Sequence, residues 1–218
     1  MLPANSHPVG RPVAELTNPY ALEVHRAIRI EPASGGPELP ELPVYIERQH
    51  DRQLRARVQD AVNGSSRMVA LVGGSSTGKT RACWEAIQAL PEPWRLWHPI
   101  DPGRAEAVLA GLDGVGPHTV VWLNETQHYL PPGGGLGEQV AAKLRTLLDD
   151  GERAPVLVLG TLWPEYWTTL TTPPDAGSVD PHPQARALVT GHALTVPEVF
   201  GPQALADLGR RSRPRRPV

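Results

Sequence analysis

One stretch of the sequence combines glycines, hydroxyl side chains and a lysine at a spacing that suits phosphate chemistry. It reads Gly73-Gly74-Ser75-Ser76-Thr77-Gly78-Lys79-Thr80. Its outer glycines let backbone amides wrap closely around phosphate oxygens, the lysine reaches the outer phosphates, and the last hydroxyl binds Mg²⁺. An apolar run precedes the stretch and a helical pattern follows it. The stretch therefore predicts a P-loop that binds a nucleoside triphosphate, with Arg81 included in the binding set.

A second chemical signal lies at the end of the apolar run that begins at Val120. The run ends in Asn124-Glu125, which resembles a Walker B strand with an amide in place of its first acid. A buried strand would deliver both side chains to the edge of the sheet beside the phosphates. Glu125 could there orient and deprotonate the attacking water, while Asn124 holds a magnesium-bound water without adding negative charge. Asp101, after an earlier predicted strand, is the alternative acid.

Two further polar residues are candidates for a contact with the γ-phosphate. Thr161 follows an apolar run that ends at Leu159, and a polar side chain at such a strand end could sense the γ-phosphate. Arg186, on a later predicted helix, is interpreted as an ordinary surface arginine, with an arginine finger acting on a neighbouring molecule as the alternative. The predicted catalytic set is Lys79, Asn124, Glu125 and Thr161.

The glycine-rich stretch also satisfies a rival pattern, the G-x-S-x-G nucleophile elbow of α/β-hydrolases, with Ser76 as nucleophile. His128 or His192 would then supply the base. Such an elbow requires several strands upstream, and the first 66 residues are rich in proline with no strand that the pattern predicts. Hydrolase chemistry also gives no reason for Lys79-Thr80, so a nucleotide site is favoured.

Apolar runs and helical patterns alternate from residue 68 onward, which is typical of a layered α/β domain. Strands are predicted at 68–72, 95–100, 119–123, 155–159 and 192–196. Helices are predicted at 48–62, 79–90, 104–112 and 184–189, with one more carrying Val140, Leu144, Leu147 and Leu148. Because helices separate the strands, we expect a three-layer α/β sandwich around a mainly parallel five-stranded sheet of order 5-1-4-3-2. A complete strand-helix unit before Glu125 leaves room for a strand inserted beside the P-loop strand.

Composition and charge narrow the function classes. Lys and Arg total 21 and Asp and Glu total 23, and this near balance indicates neither a nucleic-acid nor a membrane partner. No apolar stretch approaches the roughly 20 residues needed to cross a bilayer. The first residues lack the pattern of a secretion signal, and the single cysteine, Cys83, fits a reducing compartment. The predicted localisation is cytoplasmic.

Three segments are predicted along the chain. Residues 1–43 form a Pro/Gly-rich arm, mostly extended, that contains too few apolar residues to fold alone. Residues 44–208 form the P-loop NTPase core. Residues 209–218 are a basic run, interpreted as a solvated and disordered tail.

Taken together, the motifs resemble the AAA+ and STAND ATPases, members of the additional-strand, catalytic-glutamate division of P-loop NTPases. Tyr45-Ile46-Glu47-Arg48 looks like the box that covers adenine in that family, with Glu47 in place of the usual glycine. The resemblance implies that Tyr45 and Ile46 contact the base and that the nucleotide is ATP. The stretches LVGGSSTGKTRACWEAI, WRLWHPID, VVWLNETQHYL and APVLVLGTLWPEYW are also similar to a group of ATP-binding proteins of streptomycetes, over about residues 18–200.

Such ATPases continue beyond the fifth strand into a helical lid and often into effector domains. The resemblance therefore implies an isolated nucleotide-binding core in which the lid and a C-terminal effector domain are missing, with self-association left open. The leading prediction is an ATPase that uses ATP and Mg²⁺. Asn124 and the missing lid favour an alternative, a nucleotide-binding switch with little turnover. A small-molecule phosphotransferase would require paired lid arginines, and Arg210-Arg211 lie too near the end of the chain.

Overall fold

The computed structural model describes residues 9–26, 42–101, 103–130, 135–202 and 204–206 of the 218-residue chain. The basic run predicted at 209–218 and the middle of the predicted arm, residues 27–41, lie outside the described residues. The elements that position the candidate site all fall within the described ranges.

Strands and helices alternate from residue 49 onward, as the apolar patterns predict, except that two consecutive helices precede the last strand. The strands are β1 (Arg11–Pro12), β2 (Arg67–Val72), β3 (Arg95–Trp97), β4 (Thr119–Leu123), β5 (Val156–Leu162) and β6 (Ala193–Thr195). The helices are α1 (Gln49–Val62), α2 (Lys79–Ile87), α3 (Arg104–Gly111), α4 (Leu136–Asp149), α5 (Pro164–Thr171) and α6 (Pro183–Val189). Short 3₁₀ turns occur at Val13–Glu15, Pro19–Leu22, Leu112–Gly114 and Thr126–His128.

The strands form one sheet in the order β1-β3-β4-β5-β2-β6. All neighbours pair in parallel except β1, which runs antiparallel to β3. The predicted count of five strands is therefore wrong, and the order of the whole sheet differs from the predicted one by the added edge strand. Two residues are too short a segment for an alternating pattern to predict. The other strands lie side by side as β6, β2, β5, β4 and β3, so β5 separates β2 from β4.

Several element ends differ from the sequence prediction. Helix α2 ends at Ile87 rather than at residue 90, because the ring of Pro91 conflicts with the carbonyl four residues earlier. Strand β5 continues to Leu162, since it pairs with β2 over that whole length. Thr161 therefore lies within β5 rather than after it. Helix α5 was not predicted, although Pro164 stands at its first position, where proline is favoured.

Helices cover both faces of the sheet, which makes the domain a three-layer α/β structure. Along β2, Met68, Ala70 and Val72 pack into the layer that holds α3, α4 and α6. Val69 and Leu71 point to the opposite layer, against α1 and α2. This alternation follows from the two-residue repeat of a strand. Within the described ranges, no helix is long and apolar enough to cross a membrane.

The described part of the arm, residues 9–26, packs against the domain. Val13, Leu22 and Val24 are buried in the same apolar layer as α1 and α2. The N–H of Val13 donates to the carbonyl of Trp94 at 2.9 Å, next to the β1–β3 pairing. Further along the arm, Glu23 accepts a hydrogen bond from Asn124 and so reaches the carboxyl end of the sheet, where the predicted site residues lie.

Candidate functional site

The glycine-rich loop connects the end of β2 to the start of α2 and is closed by its own hydrogen bonds. The hydroxyl of Thr77 donates to the carbonyl of Gly74 at 3.0 Å. The ammonium of Lys79 donates to the carbonyls of Gly73 and Gly74 at 2.8 and 2.7 Å. A Cβ at Gly73 would lie 2.9 Å from the carbonyl oxygen of Val196, so this position requires glycine. These bonds hold the loop in one conformation without any ligand.

Helix α2 begins directly after Gly78, which adopts a left-handed φ of +88°. Its first intrahelical bond runs from the N–H of Ala82 to the carbonyl of Gly78 at 2.9 Å. The backbone N–H groups of residues 78–81, all within the described part of the chain, donate to no protein atom. Free amides at a helix start carry the positive end of the helix dipole, and they are suited to bind an anion.

A cavity of about 970 Å³ opens beside this loop. Its volume matches that of sites for small organic ligands, which span roughly 300–1,000 Å³. Its wall includes Glu23 from the arm, Tyr45 and Ile46 before α1, residues 75–81, Asn124, Glu125 and Trp163. The cavity therefore joins the glycine-rich loop to the end of β4, as the sequence prediction requires. Gly73 and Gly74, predicted to bind the nucleotide, line a neighbouring cavity instead, and their carbonyls accept from Lys79.

Asn124 is the centre of a hydrogen-bond network at the ends of β4 and β5. Its Oδ1 accepts from the hydroxyls of Thr80 and Thr161, each at 2.8 Å. Its Nδ2 donates to the carboxylate of Glu23 at 3.0 Å. Because an ionised carboxylate can only accept, Glu23 fixes the amide nitrogen of Asn124 on its own side and the oxygen on the side of the hydroxyls. The buried amide is thus held in one orientation.

Glu125 follows Asn124 and lines the cavity with a partly exposed side chain. Its backbone N–H donates to Thr161 Oγ1 at 2.8 Å, which anchors the turn after β4. Its carboxylate accepts from Nε2 of Gln127. The backbone of Glu125 is therefore fixed, and its side chain has access to solvent in the cavity. A general base needs both properties.

Strained backbone is concentrated at this cavity. In the described part of the chain, the non-glycine residues with positive φ are Glu23, Ser76, His118 and Glu125. All of them except His118 line the cavity. Such conformations cost about 1–3 kcal/mol each, persist only where the surrounding structure holds them, and cluster at functional sites. Their distribution supports the cavity as the functional site.

Glu23 is a site residue that the sequence prediction missed. Burial acts to raise the pKa of Glu23, but hydrogen bonds from Arg104 and Asn124 outweigh that effect and hold the pKa below its ordinary value. Arg104 contacts both carboxylate oxygens and also donates to the carbonyl of Asn124 at 2.9 Å. Asn18 accepts from the N–H of Tyr20 at 3.0 Å, so Asn-Pro signals the turn before Glu23. No local signal, however, indicates the partners of Glu23.

Tyr45 and Ile46, which are predicted to contact the adenine base, line the cavity. The hydroxyl of Tyr45 donates to Asp51, which raises the pKa of Tyr45 in addition to the larger effect of burial. Ile46 is buried beside it. The guanidinium of Arg81 lies 5.4 Å from the centre of the Tyr45 ring. Together they form a partly apolar wall with one fixed aromatic ring.

Arg48 supports the glycine-rich loop from behind, a role that the sequence prediction did not assign. Its Nη2 donates to the carbonyl of Thr77 at 2.7 Å and its Nη1 to the carbonyl of Pro197 at 3.2 Å. Its guanidinium also lies 5.1 Å from the ring centre of Phe200. Arg48 therefore ties the loop to the segment that follows β6.

Two residues considered as alternatives lie away from the cavity. Asp101 is exposed, four residues beyond the end of β3, and does not belong to the described cavity wall. Arg186 forms an ion pair with Asp180 and donates to the carbonyls of Thr171 and Thr172. Those bonds join the end of α5 to α6. The guanidinium of Arg186 is therefore engaged within its own chain, whereas an arginine finger would have to reach the nucleotide of a neighbouring molecule.

The hydrolase alternative finds no support in the geometry. His192 lies near Arg57 and Arg67, at the opposite end of β2 from Ser76. His128 lines the same cavity as Ser76, but no hydrogen bond joins Ser76 to either histidine, all three being described residues. The contact between nucleophile and base that such an enzyme uses is therefore missing here.

The fold thus brings residues 75–80 of the glycine-rich loop, the Asn124-Glu125 pair and Glu23 to one cavity, and Thr161 and Arg104 support its wall through hydrogen bonds. A scan against protein-family models found no matching family, and a search of curated proteins found no similar protein.

Proposed function

We propose that the cavity binds ATP with Mg²⁺ and that the chain hydrolyses the γ-phosphate. The observation that carries this proposal is the pairing of free amides at residues 78–81 with the ammonium of Lys79, which holds only neutral acceptors. Within the described residues, Lys79 makes no salt bridge. Polyphosphate oxygens are the acceptors that such a group of donors suits.

Lys79 is prepared for an anion by its surroundings. Burial lowers the pKa of Lys79, and the carboxylates of Glu125 and Glu165 oppose this only in part. Its ammonium also lies 5.9 Å from the centre of the Trp163 ring. Phosphate oxygens would replace the two loop carbonyls as its acceptors, and charge-assisted hydrogen bonds are stronger than neutral ones. Binding would therefore convert a weakly satisfied buried cation into a paired one.

The oxygen donors around Thr80 fit a magnesium ion. The Thr80 hydroxyl and the amide oxygen of Asn124 are hard oxygen ligands of the kind that Mg²⁺ prefers, and the carboxylate of Glu23 lies on the other side of the same amide. The described residues contain no group of three or more His, Cys, Asp or Glu that would form a closed protein cage. An ion held by one or two protein groups together with phosphates agrees with this composition. When bound, Mg²⁺ would neutralise charge on the phosphates.

Glu125 is the residue that we assign to proton transfer. Water would attack the γ-phosphorus, the bond from that phosphorus to the β-γ bridging oxygen would break, and the proton of the water would pass to Glu125. The products are ADP and inorganic phosphate, and Glu125 then releases its proton to solvent. Thr161 positions this base, because its hydroxyl accepts from the Glu125 N–H.

One observation favours the second candidate function, a nucleotide switch with little turnover. The carboxylate of Glu125 is already hydrogen-bonded by Gln127 Nε2, which competes with an attacking water. If this bond persists with nucleotide bound, ATP orders the cavity wall without being cleaved. Binding and cleavage therefore have to be measured separately.

Titration calorimetry with Mg·ATP tests the binding site. We expect Lys79→Ala to weaken binding about 10- to 100-fold, the loss expected for a charge-assisted contact. Lys143→Ala is the matched control, because Lys143 is the only other lysine and lies on α4 in an exposed pair with Asp113. Equal affinity of wild type and Lys79→Ala, or no binding by folded wild type, would overturn the proposal.

Phosphate release under multiple turnover separates hydrolysis from the switch. We expect Glu125→Gln to lower the rate about 100-fold or more, the usual contribution of a general base. Glu152→Gln, at an exposed turn, is the control for an altered glutamate. Binding that depends on Lys79 without any release above background would establish the switch instead.

A further inference from the structure

We propose that Glu23, from the N-terminal arm, supplies the magnesium-site carboxylate that Asn124 lacks. This inference rests on the proposed nucleotide site and assigns its acidic group. It concerns a residue separated by 101 positions from the strand end that it serves. The arm then contributes to the metal site as well as to the wall of the cavity.

The contacts place the carboxylate one amide away from the hydroxyl expected to bind Mg²⁺. Glu23 Oε2 accepts from Asn124 Nδ2 at 3.0 Å. On the other side of the same amide, Oδ1 accepts from Thr80 at 2.8 Å. Glu23 and Thr80 thus bracket Asn124, and both line the cavity. The negative charge is present at the end of β4, although the residue at that end is neutral.

Arg104 holds the carboxylate of Glu23 in this direction. Arg104 donates through Nη1 and Nη2 to both carboxylate oxygens, and bidentate pairing fixes the plane of the carboxylate. His98 Nε2 lies 3.7 Å from Oε2. The hydroxyl of Tyr129 accepts from the same Arg104 at 3.3 Å. When no cation is bound, the positive charge of Arg104 balances the negative charge of Glu23. The carboxylate therefore does not repel the neighbouring carbonyl groups of the protein.

A purely structural ion pair explains these contacts less well. The Glu23 side chain is 37% exposed, and exposed pairs contribute little to stability. Glu23 nevertheless holds a left-handed φ of 62°, a strained conformation for a residue with a Cβ. This φ caps the 3₁₀ turn at Pro19–Leu22, because the N–H of Glu23 donates to the carbonyl of Tyr20 at 3.1 Å. A ligand-binding role accounts for the exposure of the Glu23 side chain to the cavity.

The test measures ATP affinity by calorimetry with excess Mg²⁺ and again with EDTA, for wild type, Glu23→Gln and Glu15→Gln. Glu15 is an exposed glutamate of the same arm and serves as the matched control. For wild type and Glu15→Gln we expect Mg²⁺ to tighten ATP binding about tenfold or more. For Glu23→Gln we expect this gain to fall below about threefold. Affinity in EDTA should stay equal or rise, because a negative charge near the phosphates is removed.

The exchange variant Glu23→Gln/Asn124→Asp provides an independent check, since it moves the carboxylate from the arm to the end of β4. We expect it to regain the Mg²⁺ dependence that Glu23→Gln loses, which also shows that the single variant is folded. A full Mg²⁺ gain in Glu23→Gln would overturn the assignment. So would a parallel loss of affinity in both buffers that the exchange does not restore, because that pattern indicates a structural role.

The same data separate this inference from the proposed function. If wild type binds ATP in a manner that depends on Lys79 but Glu23→Gln keeps the full Mg²⁺ gain, only the role of Glu23 is wrong. If folded wild type binds no ATP in either buffer, the nucleotide site itself is wrong.

Discussion

Replacing Asn124 by aspartate is the sharpest test of the geometry at the end of β4. The substitution restores the acid of a usual Walker B strand, so a sequence-based argument would expect it to be harmless or beneficial. In this structure it places a second carboxylate where Asn124 Nδ2 now donates to Glu23 at 3.0 Å. We therefore expect Asn124→Asp to destabilise the ligand-free protein.

The size of the effect follows from two competing costs. Two unit charges 3.0 Å apart repel by about 5.5 kcal/mol at an effective dielectric constant of 20, before Arg104 reduces the repulsion. The new aspartate can instead take up a proton and donate it to Glu23. Starting from an ordinary pKa of about 3.9, protonation at pH 7 costs about 4 kcal/mol. The cheaper route limits the loss, so we expect about 2–4 kcal/mol at pH 7.

The pH dependence gives this prediction its signature. The folded-state pKa of the new aspartate is raised above its unfolded value, so the destabilisation is nearly absent below the unfolded pKa and grows as pH rises toward the folded pKa. At pH 5 the same arithmetic limits the loss to about 1.5 kcal/mol. Arg104 still donates to both carboxylate oxygens of Glu23 in this variant, so we expect the proton to reside on the new aspartate.

Urea unfolding at pH 5, 6, 7 and 8 measures the free energy of unfolding for wild type and Asn124→Asp. Asn63→Asp is the control, because Asn63 is exposed at the end of α1. Its side chain accepts a hydrogen bond from Gln59 through Oδ1, and an aspartate can accept the same bond. Adding Glu23→Gln to Asn124→Asp should recover most of the loss, since the amide introduced at position 23 can donate to the new carboxylate. A loss below about 1 kcal/mol at pH 7, or one that does not change with pH, would refute the contact between residues 23 and 124.

Three further predictions concern the loop, the end of β5 and the core. Gly73→Ala should cost about 1–3 kcal/mol of unfolding free energy and lower ATP affinity, because its Cβ would lie 2.9 Å from the Val196 carbonyl oxygen. Thr161→Val should cost about 1–3 kcal/mol of unfolding free energy, because it removes the hydroxyl that donates to Asn124 and accepts from the Glu125 N–H. Urea unfolding measures the loss of unfolding free energy for each of these two variants. Burial raises the pKa of Cys83 to about 12, so native Cys83 should react with Ellman's reagent only at the rate of unfolding.

Matched controls make these outcomes decisive. Gly116→Ala introduces a Cβ with no atom within 4 Å, so it should leave both stability and ATP affinity unchanged. Thr169→Val alters an exposed hydroxyl on α5 that bonds only its own helix. If each site variant behaved like its control, the close packing at Gly73 and the network at Thr161 would be wrong. Rapid labelling of Cys83 in folded protein would contradict its burial.

Much of the fold could be predicted because its signals are local. The run from residue 119 to 123 is continuously apolar after its first residue, and β4 has those bounds. The helical spacing of Leu54, Val58 and Ala61 predicts α1, and these side chains are buried. The count of strands was wrong, since β1 is defined by its pairing with β3 and not by any pattern of its own. The end of β5 was placed too early because pairing with β2 extends it through Gly160 and Thr161.

The candidate site divides in the same way. The glycine-rich loop and Asn124-Glu125 are short motifs in which each residue type has a local reason, so both could be named from the sequence. The structure places residues 75–80 of the loop and the Asn124-Glu125 pair at one cavity, and buried Thr161 supports Asn124 through a hydrogen bond. Arg48 and Arg104 were missed as site residues, because their roles are bonds to carbonyls of distant loops.

The sequence by itself determined most of the strands and helices and the place of the glycine-rich loop between β2 and α2, since periodicity and turn chemistry act over a few residues. Only the tertiary structure decided where the negative charge beside that loop resides. Asn124 is neutral, and the acid arrives from Glu23 on the arm, held by Arg104 at the start of α3. The physical reason is that strand pairing and packing bring these backbones together, and hydrogen bonds between side chains then depend on distances that no local pattern encodes.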